Sequence, residues 1–197
     1  MELKSFRGEE ILPWLDALGM LRITVFRAYP YLYEGTLEYE RDYLRTYAAA
    51  ERALVTLALD GERAVGATTC VPLVDEGPEF QEPFLRRGIN PASVCYFGES
   101  ILLPEYRGLG LGRAFFDVRE AHARALPGVV TTAFCAVDRP PDHPMRPPGY
   151  RELDGFWLSL GYRKRPGMQS RFRWREVGET EESEKTLTFW TREWTTA

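Results

Sequence analysis

Between Leu102 and Arg113 the chain reads Leu-Leu-Pro-Glu-Tyr-Arg-Gly-Leu-Gly-Leu-Gly-Arg, a composition and spacing suited to holding an anion. Glycines at 108, 110 and 112 let the main chain adopt positive φ and come close to a ligand. An apolar run from Val94 to Leu103 precedes the turn. Leu111, Ala114, Phe115, Val118, Ala121 and Ala125 follow at helical spacing as far as Leu126. A strand therefore feeds a helix whose first N–H groups have no partners within the helix and sit at the positive end of its dipole. A diphosphate fits such a place. Arg107 and Arg113 add charge, and the backbone amides do most of the holding.

Three known phosphate loops are candidates. A Walker A loop needs Lys-Ser/Thr after its last glycine, where this chain has Arg113-Ala114. A dinucleotide fingerprint needs Gly-x-Gly-x-x-Gly, and glycines at 108, 110 and 112 fail it at the third position. Arg107-x-x-Gly110-x-Gly112 has the Arg/Gln-x-x-Gly-x-Gly/Ala form and so resembles the pyrophosphate loop of the GNAT (general amine N-acetyltransferase) superfamily. Phe156-Trp157-Leu158-Ser159-Leu160-Gly161-Tyr162 is similar to that family's later Phe-Tyr-x-x-x-Gly-Phe segment. The run Tyr96 to Ser100 before Pro104-Glu105-Tyr106-Arg107-Gly108 resembles a bacterial group of the family without assigned substrates.

The resemblance implies acetyl-CoA (coenzyme A) as co-substrate, with no metal. Amides from Arg107 through Gly108, Leu109, Gly110, Leu111 and Gly112 to Arg113 would hold the pyrophosphate. Leu102 and Leu103 would present backbone groups to the pantetheine arm, and the Leu102 N–H would stabilise the oxyanion. An amine nucleophile must shed a proton, for which the residues offer Glu99. In simple strand alternation Glu99 shares a face with Cys95, Phe97, Ile101 and Leu103, apolar surroundings that favour a raised pKa. The alternative is a structural ion pair with a nearby arginine. Where the family often places an acidic tyrosine, this chain has Trp157, whose indole only donates hydrogen bonds. Tyr150 and His143 are further candidates on a loop. His122 and Cys135 read as packed residues, and Trp174, Phe189, Trp190 and Trp194 as core or subunit contact.

The elements that must position these residues follow from periodicity. Ile11, Leu15, Leu18, Leu21 and Val25 predict a helix over 9–27, with Pro13 in its early part. A second helix starts near Thr36, with Glu38 and Glu40 at the positive end of its dipole and a buried stripe of Leu37, Leu44 and Tyr47. Residues 53–59 and 64–71 around Asp60-Gly61 predict a hairpin. The loop 75–93 hides a short helix at Phe80, Phe84 and Leu85. Val129 to Val137 is a buried strand, and residues 153–160 form a short helix with Gly161 as its C-terminal cap. Residues 171–175 and 186–189 make a last hairpin around an acidic, solvated tip at 178–184. The fold class is α/β (α+β), a single domain over residues 1–197. Its mixed sheet splays in a V between the 94–103 and 129–137 strands and is flanked by helices, and loops 75–93 and 139–150 shape the acceptor pocket.

Composition narrows the function. The chain carries a net charge of −4, which argues against a nucleic-acid partner. It holds no apolar run long enough to span a membrane and no signal-peptide core, so a cytoplasmic protein without a membrane partner is expected. Cys70, Cys95 and Cys135 lie in strand-like runs and read as reduced core residues. Two histidines without paired Cys/His spacing argue against a structural zinc site. The expected function is N-acyl transfer, most simply of acetyl, from acyl-CoA to a small-molecule or protein amine by direct attack in a ternary complex. The rivals are a non-catalytic CoA-binding or regulatory protein and, further off, a dinucleotide-binding oxidoreductase. Oligomeric state is open, with a homodimer through the C-terminal hairpin as one outcome.

Overall fold

The computed structural model describes residues 1–194. Eight strands form one mixed sheet: β1 (Glu2–Phe6), β2 (Leu54–Asp60), β3 (Arg63–Pro72), β4 (Val94–Tyr96), β5 (Ser100–Leu102), β6 (Thr131–Val137), β7 (Arg163–Trp174) and β8 (Ser183–Glu193). Their order is β1-β2-β3-β4-β6-β8-β7, with β5 alongside β3. Every pairing is antiparallel except β4 with β6. Five α-helices accompany them: α1 (Leu15–Phe26), α2 (Leu37–Ala49), α3 (Pro78–Leu85), α4 (Leu111–Ala125) and α5 (Asp154–Ser159). The expected mixed α/β domain is present.

Several boundaries differ for local reasons. Residues Gly8–Trp14 form a 3-10 helix containing Pro13, and the α-helix starts only at Leu15; a proline supplies no N–H for the i→i−4 ladder. Periodicity does not reveal the first strand, β1, because Glu2–Phe6 shows only a brief alternation, and its pairing with β2 supplies the missing specification. The helix hidden in 75–93 is α3, with Phe84 buried and Leu85 exposed. The tail hairpin is much longer than its alternating segments, running from Arg163 to Glu193.

Two helical layers make the core. The buried α1 and α2 side chains Leu18, Leu21, Leu44 and Tyr47 pack with Val65, Ala67 and Val71 of β3. Cys70, on the opposite face of β3, meets Phe97, Phe116 and Ala123. Phe134 anchors an aromatic group against Trp157 (5.0 Å), Tyr162 (5.1 Å) and Trp190, which fixes α5 beneath β6 and β8. Each such pair adds about 0.5–1.5 kcal/mol beyond the area it buries. Phe84, Tyr96, Cys135 and Phe189 form a third cluster.

The connection between α1 and α2 is tied across to the far end of the sheet. Arg139 donates to the carbonyls of Pro30 (2.7 Å) and Tyr31 (3.1 Å) and pairs with Glu176, while the Trp174 indole donates to Tyr31 O at 3.1 Å. Glu34 N–H reaches Arg175 O and Val177 N–H reaches Leu32 O. Leu32 sits at φ +54° inside this clasp, a conformation costing an L residue about 1–2 kcal/mol; the surrounding bonds offset it.

Candidate active site

The 94–103 run is two strands, not one. Tyr96 opposes Val71 and Cys95 opposes Pro72, whereas Ser100, Ile101 and Leu102 oppose Thr68, Ala67 and Gly66. One extra residue therefore lies between them. Gly98 N–H donates to Thr69 O at 3.2 Å, and Glu99 O accepts from Thr69 N–H at 3.1 Å, so two residues face one in a β-bulge. Gly98 is obligatory here, because a Cβ would overlap the Tyr47 hydroxyl and Thr69 Oγ1.

The bulge splits the face expected for Glu99: Ile101 and Leu103 share its side of the sheet as alternation predicts, and Cys95 and Phe97 do not. Cys95 and Phe97 pack toward α4, where the Arg119 guanidinium lies 4.3 Å from the Phe97 ring. Glu99 turns the other way, toward α1, and its Oε2 pairs with Arg22. Arg22 also pairs with the fully buried Glu40 of α2 and stacks over Tyr43 at 4.3 Å. The surroundings of Glu99 are thus ionic and not simply apolar. Burial still outweighs the attraction of Arg22 and holds the Glu99 carboxyl above its usual range. Its second oxygen, Oε1, is buried without a hydrogen-bond partner among the described residues.

The splay opens just beyond this bulge. The parallel pairing of β4 with β6 ends at Tyr96 and Ala133, with a last bond from Phe97 N–H to Ala133 O at 2.7 Å. Past it, β5 follows β3 and β6 follows β8. Because Leu103 N–H bonds Val65 O at 3.0 Å, the Leu102–Gly66 pair is a non-hydrogen-bonded one. The Leu102 N–H consequently points away from β3, into the opening. Leu103 departs from expectation: its N–H is held by Val65 and its carbonyl by Tyr106 N–H, so neither group is free for a ligand.

The glycine loop lies at the mouth of the same opening. Gly108 and Gly110 have φ of +78° and +83°, and Gly110 is the N-cap of α4. No side chain caps this helix and its first turn holds no acidic residue. Arg107 and Arg113 spend their amides on Pro104 O and Gly110 O, which narrows the cradle to the amides of residues 108–112; these bond no acceptor among the described residues. Arg107 and Arg113 are exposed and have no ion-pair partner among the described residues. Space above Gly108 and Gly110 is open, and Gly112 faces the Phe156 ring, where a Cβ would lie at 3.7 Å. A diphosphate fits this arrangement of free amides, dipole and flanking charge.

The remaining sequence candidates are dispersed. Tyr150 meets Tyr29 edge-on at 4.7 Å and Arg146 at 5.1 Å, and burial raises its pKa. His143 accepts from Met145 N–H within its own turn. His122 is buried between Arg52 O (2.8 Å) and Arg7 (3.2 Å). Cys135 is buried against the Tyr96 hydroxyl at 3.1 Å, and burial pushes its thiol up to about 12, so it stays protonated. Phe189 and Trp190 are buried core, Trp174 belongs to the clasp, and Trp194 lies 5.1 Å from the Arg124 guanidinium.

Sequence reasoning missed Arg22, Glu40, Tyr43 and Glu76. One signal was available for Glu40: it stands between Leu37 and Leu44 on the apolar stripe of α2, where a solvated carboxylate does not belong.

The acetyltransferase (GNAT) family model matches residues 20–147. The chain belongs to this family. Among solved structures, an acetyltransferase from Thermus thermophilus superposes with a TM-score of 0.57 at 19% identity, covering 98% of this chain and 97% of the other. A ribosomal-protein-alanine N-acetyltransferase from Brucella melitensis gives 0.60 at 14%, covering 98% and 99%. An aminoglycoside 6'-N-acetyltransferase complexed with coenzyme A gives 0.61 at 11%, covering 100% and 99%. At these identities the likeness is one of fold. A comparison with curated proteins finds no sequence match. In this GNAT domain the matched region contains both arms of the splay, the bulge and the glycine loop.

Proposed function

We infer that the protein transfers an acyl group, most simply acetyl, from acyl-CoA to a primary amine by direct attack in a ternary complex. One observation carries the reading: the free Leu102 N–H is aimed into an opening whose mouth is the uncapped N-terminus of α4. The amides of residues 108–112 hold the diphosphate, with Arg107 and Arg113 beside it. The Leu102 N–H donates to the thioester oxygen as negative charge develops there. Glu99 offers its unpartnered Oε1 to the amine and draws off its proton, while Arg22 holds the other oxygen. The acceptor is an amine of low molecular weight or at a protein terminus, and cytoplasmic chemistry suits it.

A second reading, a CoA-binding protein without turnover, is favoured by Trp157. Its ring is packed against Phe134 and Trp190 (both 5.0 Å) and supplies no acid for the departing thiolate. Calorimetric titration with CoA, followed by thiol release from acetyl-CoA across a panel of amines, separates the two. Binding with turnover supports the transferase, and binding with no turnover on any amine supports the second reading. Failure to bind CoA, or preferential binding of NADH, overturns both.

A further inference from the structure

We propose that the proton released by the acceptor amine leaves the site through Tyr43 and Tyr47 to Glu76, which passes it to water on the far side of α2. The proposal rests on the acyl-transfer reading and adds a route that the reading does not require. Tyr43 and Tyr47 are one helical turn apart on α2, their rings edge-on at 5.7 Å and their hydroxyls 3.2 Å apart. The Tyr47 hydroxyl donates onward to Glu76 Oε1 at 3.3 Å. Tyr43 is half-buried under the Arg22 guanidinium that holds Glu99, so the chain begins beside the reacting centre. The Tyr47 hydroxyl fills the space that the missing side chain of Gly98 leaves behind the bulge. At the far end, a water-sized hollow lined by Thr46, Tyr47, Ala50, Val71, Asp75 and Glu76 opens beside the carboxylate.

The step balances as a relay. Tyr43 Oη accepts the proton that Glu99 Oε1 has drawn from the amine while its own proton passes to Tyr47 Oη, and the Tyr47 proton passes to the Glu76 carboxylate, leaving Glu99 ionised again. Glu76 then returns one proton to water, and no electrons change hands. Glu76 suits the terminal position better than Glu99, because Glu99 is pinned by Arg22 whereas Glu76 has no cationic partner among the described residues. Groups facing Glu76 come from every side: Tyr43 and Tyr47 of α2, the Gly77 N–H, Glu79 of α3, Tyr96 of β4, Glu99, Cys135 of β6, and the Arg52–Asp75 pair at the rim. Burial raises its carboxyl to about 7; the Tyr47 bond opposes this and the negative charge of Glu99 assists it. A base with that value accepts protons efficiently near neutrality.

The test is the pH profile of kcat for wild type, Glu76→Gln and Tyr47→Phe, from pH 5.5 to 9, with saturating acetyl-CoA and the best amine of the panel. CoA affinity and melting temperature are measured on each variant. The wild type should lose activity below about pH 7. In Glu76→Gln that limb should vanish and kcat fall about 100-fold with CoA affinity retained. Tyr47→Phe should behave alike, and the double variant should be no worse than either single one. Unchanged rates and profiles in the single variants, or losses that multiply in the double, overturn the relay and leave acyl transfer standing. A wild type that binds CoA yet turns over no amine overturns the acyl-transfer reading and the relay with it. Should Glu76→Gln fail to fold, Tyr47→Phe alone decides.

Discussion

Replacing Arg22 with methionine would show how much the ionic node between α1, α2 and the bulge contributes to the fold. The three side chains are 11% (Arg22), 0% (Glu40) and 2% (Glu99) exposed, so solvent screens them little. Methionine keeps the aliphatic stem against Phe26 and Tyr43 but leaves two buried carboxylates without a counter-ion. Each already has one buried oxygen without a partner. Breaking such a pair costs about 3–5 kcal/mol, which lowers the melting temperature of a domain of this size by roughly 6–20 °C. The sign with pH follows from Glu99. Its folded pKa already lies above the ordinary 4.5, so the folded state binds more protons than the unfolded one and stability is lost as pH rises through the folded value. Removing Arg22 raises that value further, so Arg22→Met should lose more at pH 8 than at pH 5. Urea unfolding at both pH values measures this, and adding Glu99→Gln should recover part of the loss. A cost below about 1 kcal/mol at pH 8, or one equal at both pH values, would refute the argument.

Three further outcomes are expected. Gly110→Ala forces an L residue to φ near +83° in open space; it should cost about 1–2 kcal/mol in stability and weaken CoA binding by calorimetry about tenfold or more. Burial holds His122 below its ordinary 6.5, so stability should be full above that value and decline as pH falls through the lowered one; His122→Gln should flatten the decline in denaturant titrations. Exchanging loop 139–150 for that of another family member should alter which amines are accepted while the affinity for CoA stays within about twofold, whereas a large loss of CoA affinity would show that the loop supports the diphosphate end.

The glycine turn into α4 was legible in sequence because its geometry is local. Gly108, Gly110 and Gly112 alternate with leucines along the chain, and the first two take the left-handed backbone that leads into α4. The arms of the splay were legible as apolar runs. What stayed hidden depends on through-space pairing. No periodicity marks the one-residue register shift at Gly98–Glu99, which is visible only once Val71 and Thr68 are seen opposite Tyr96 and Ser100. That shift turned Glu99 toward Arg22, 77 residues away in sequence, and alternation alone wrongly kept Cys95 and Phe97 on the same face. Glu76 was hidden likewise, in a loop where a carboxylate usually meets water. Only the arrival of Tyr47 from α2 gives it a partner.

The clasp around Tyr31 has a mechanical consequence. A ten-residue connection without regular structure is ordinarily among the first parts of a domain to open. Here Pro30 and Tyr31 receive bonds from Arg139 and Trp174, and Leu32 and Glu34 exchange bonds with the chain just after β7. The bonds of this connection run to the β6–β7 end while the helices it links, α1 and α2, pack on β3, so it braces the V like a strut across a gable. Its amides should exchange with solvent on the timescale of the strands it joins, and the angle between the arms should stay set while acceptors come and go. Under the proposed acyl transfer, acceptor range should then depend on which side chains line a fixed frame.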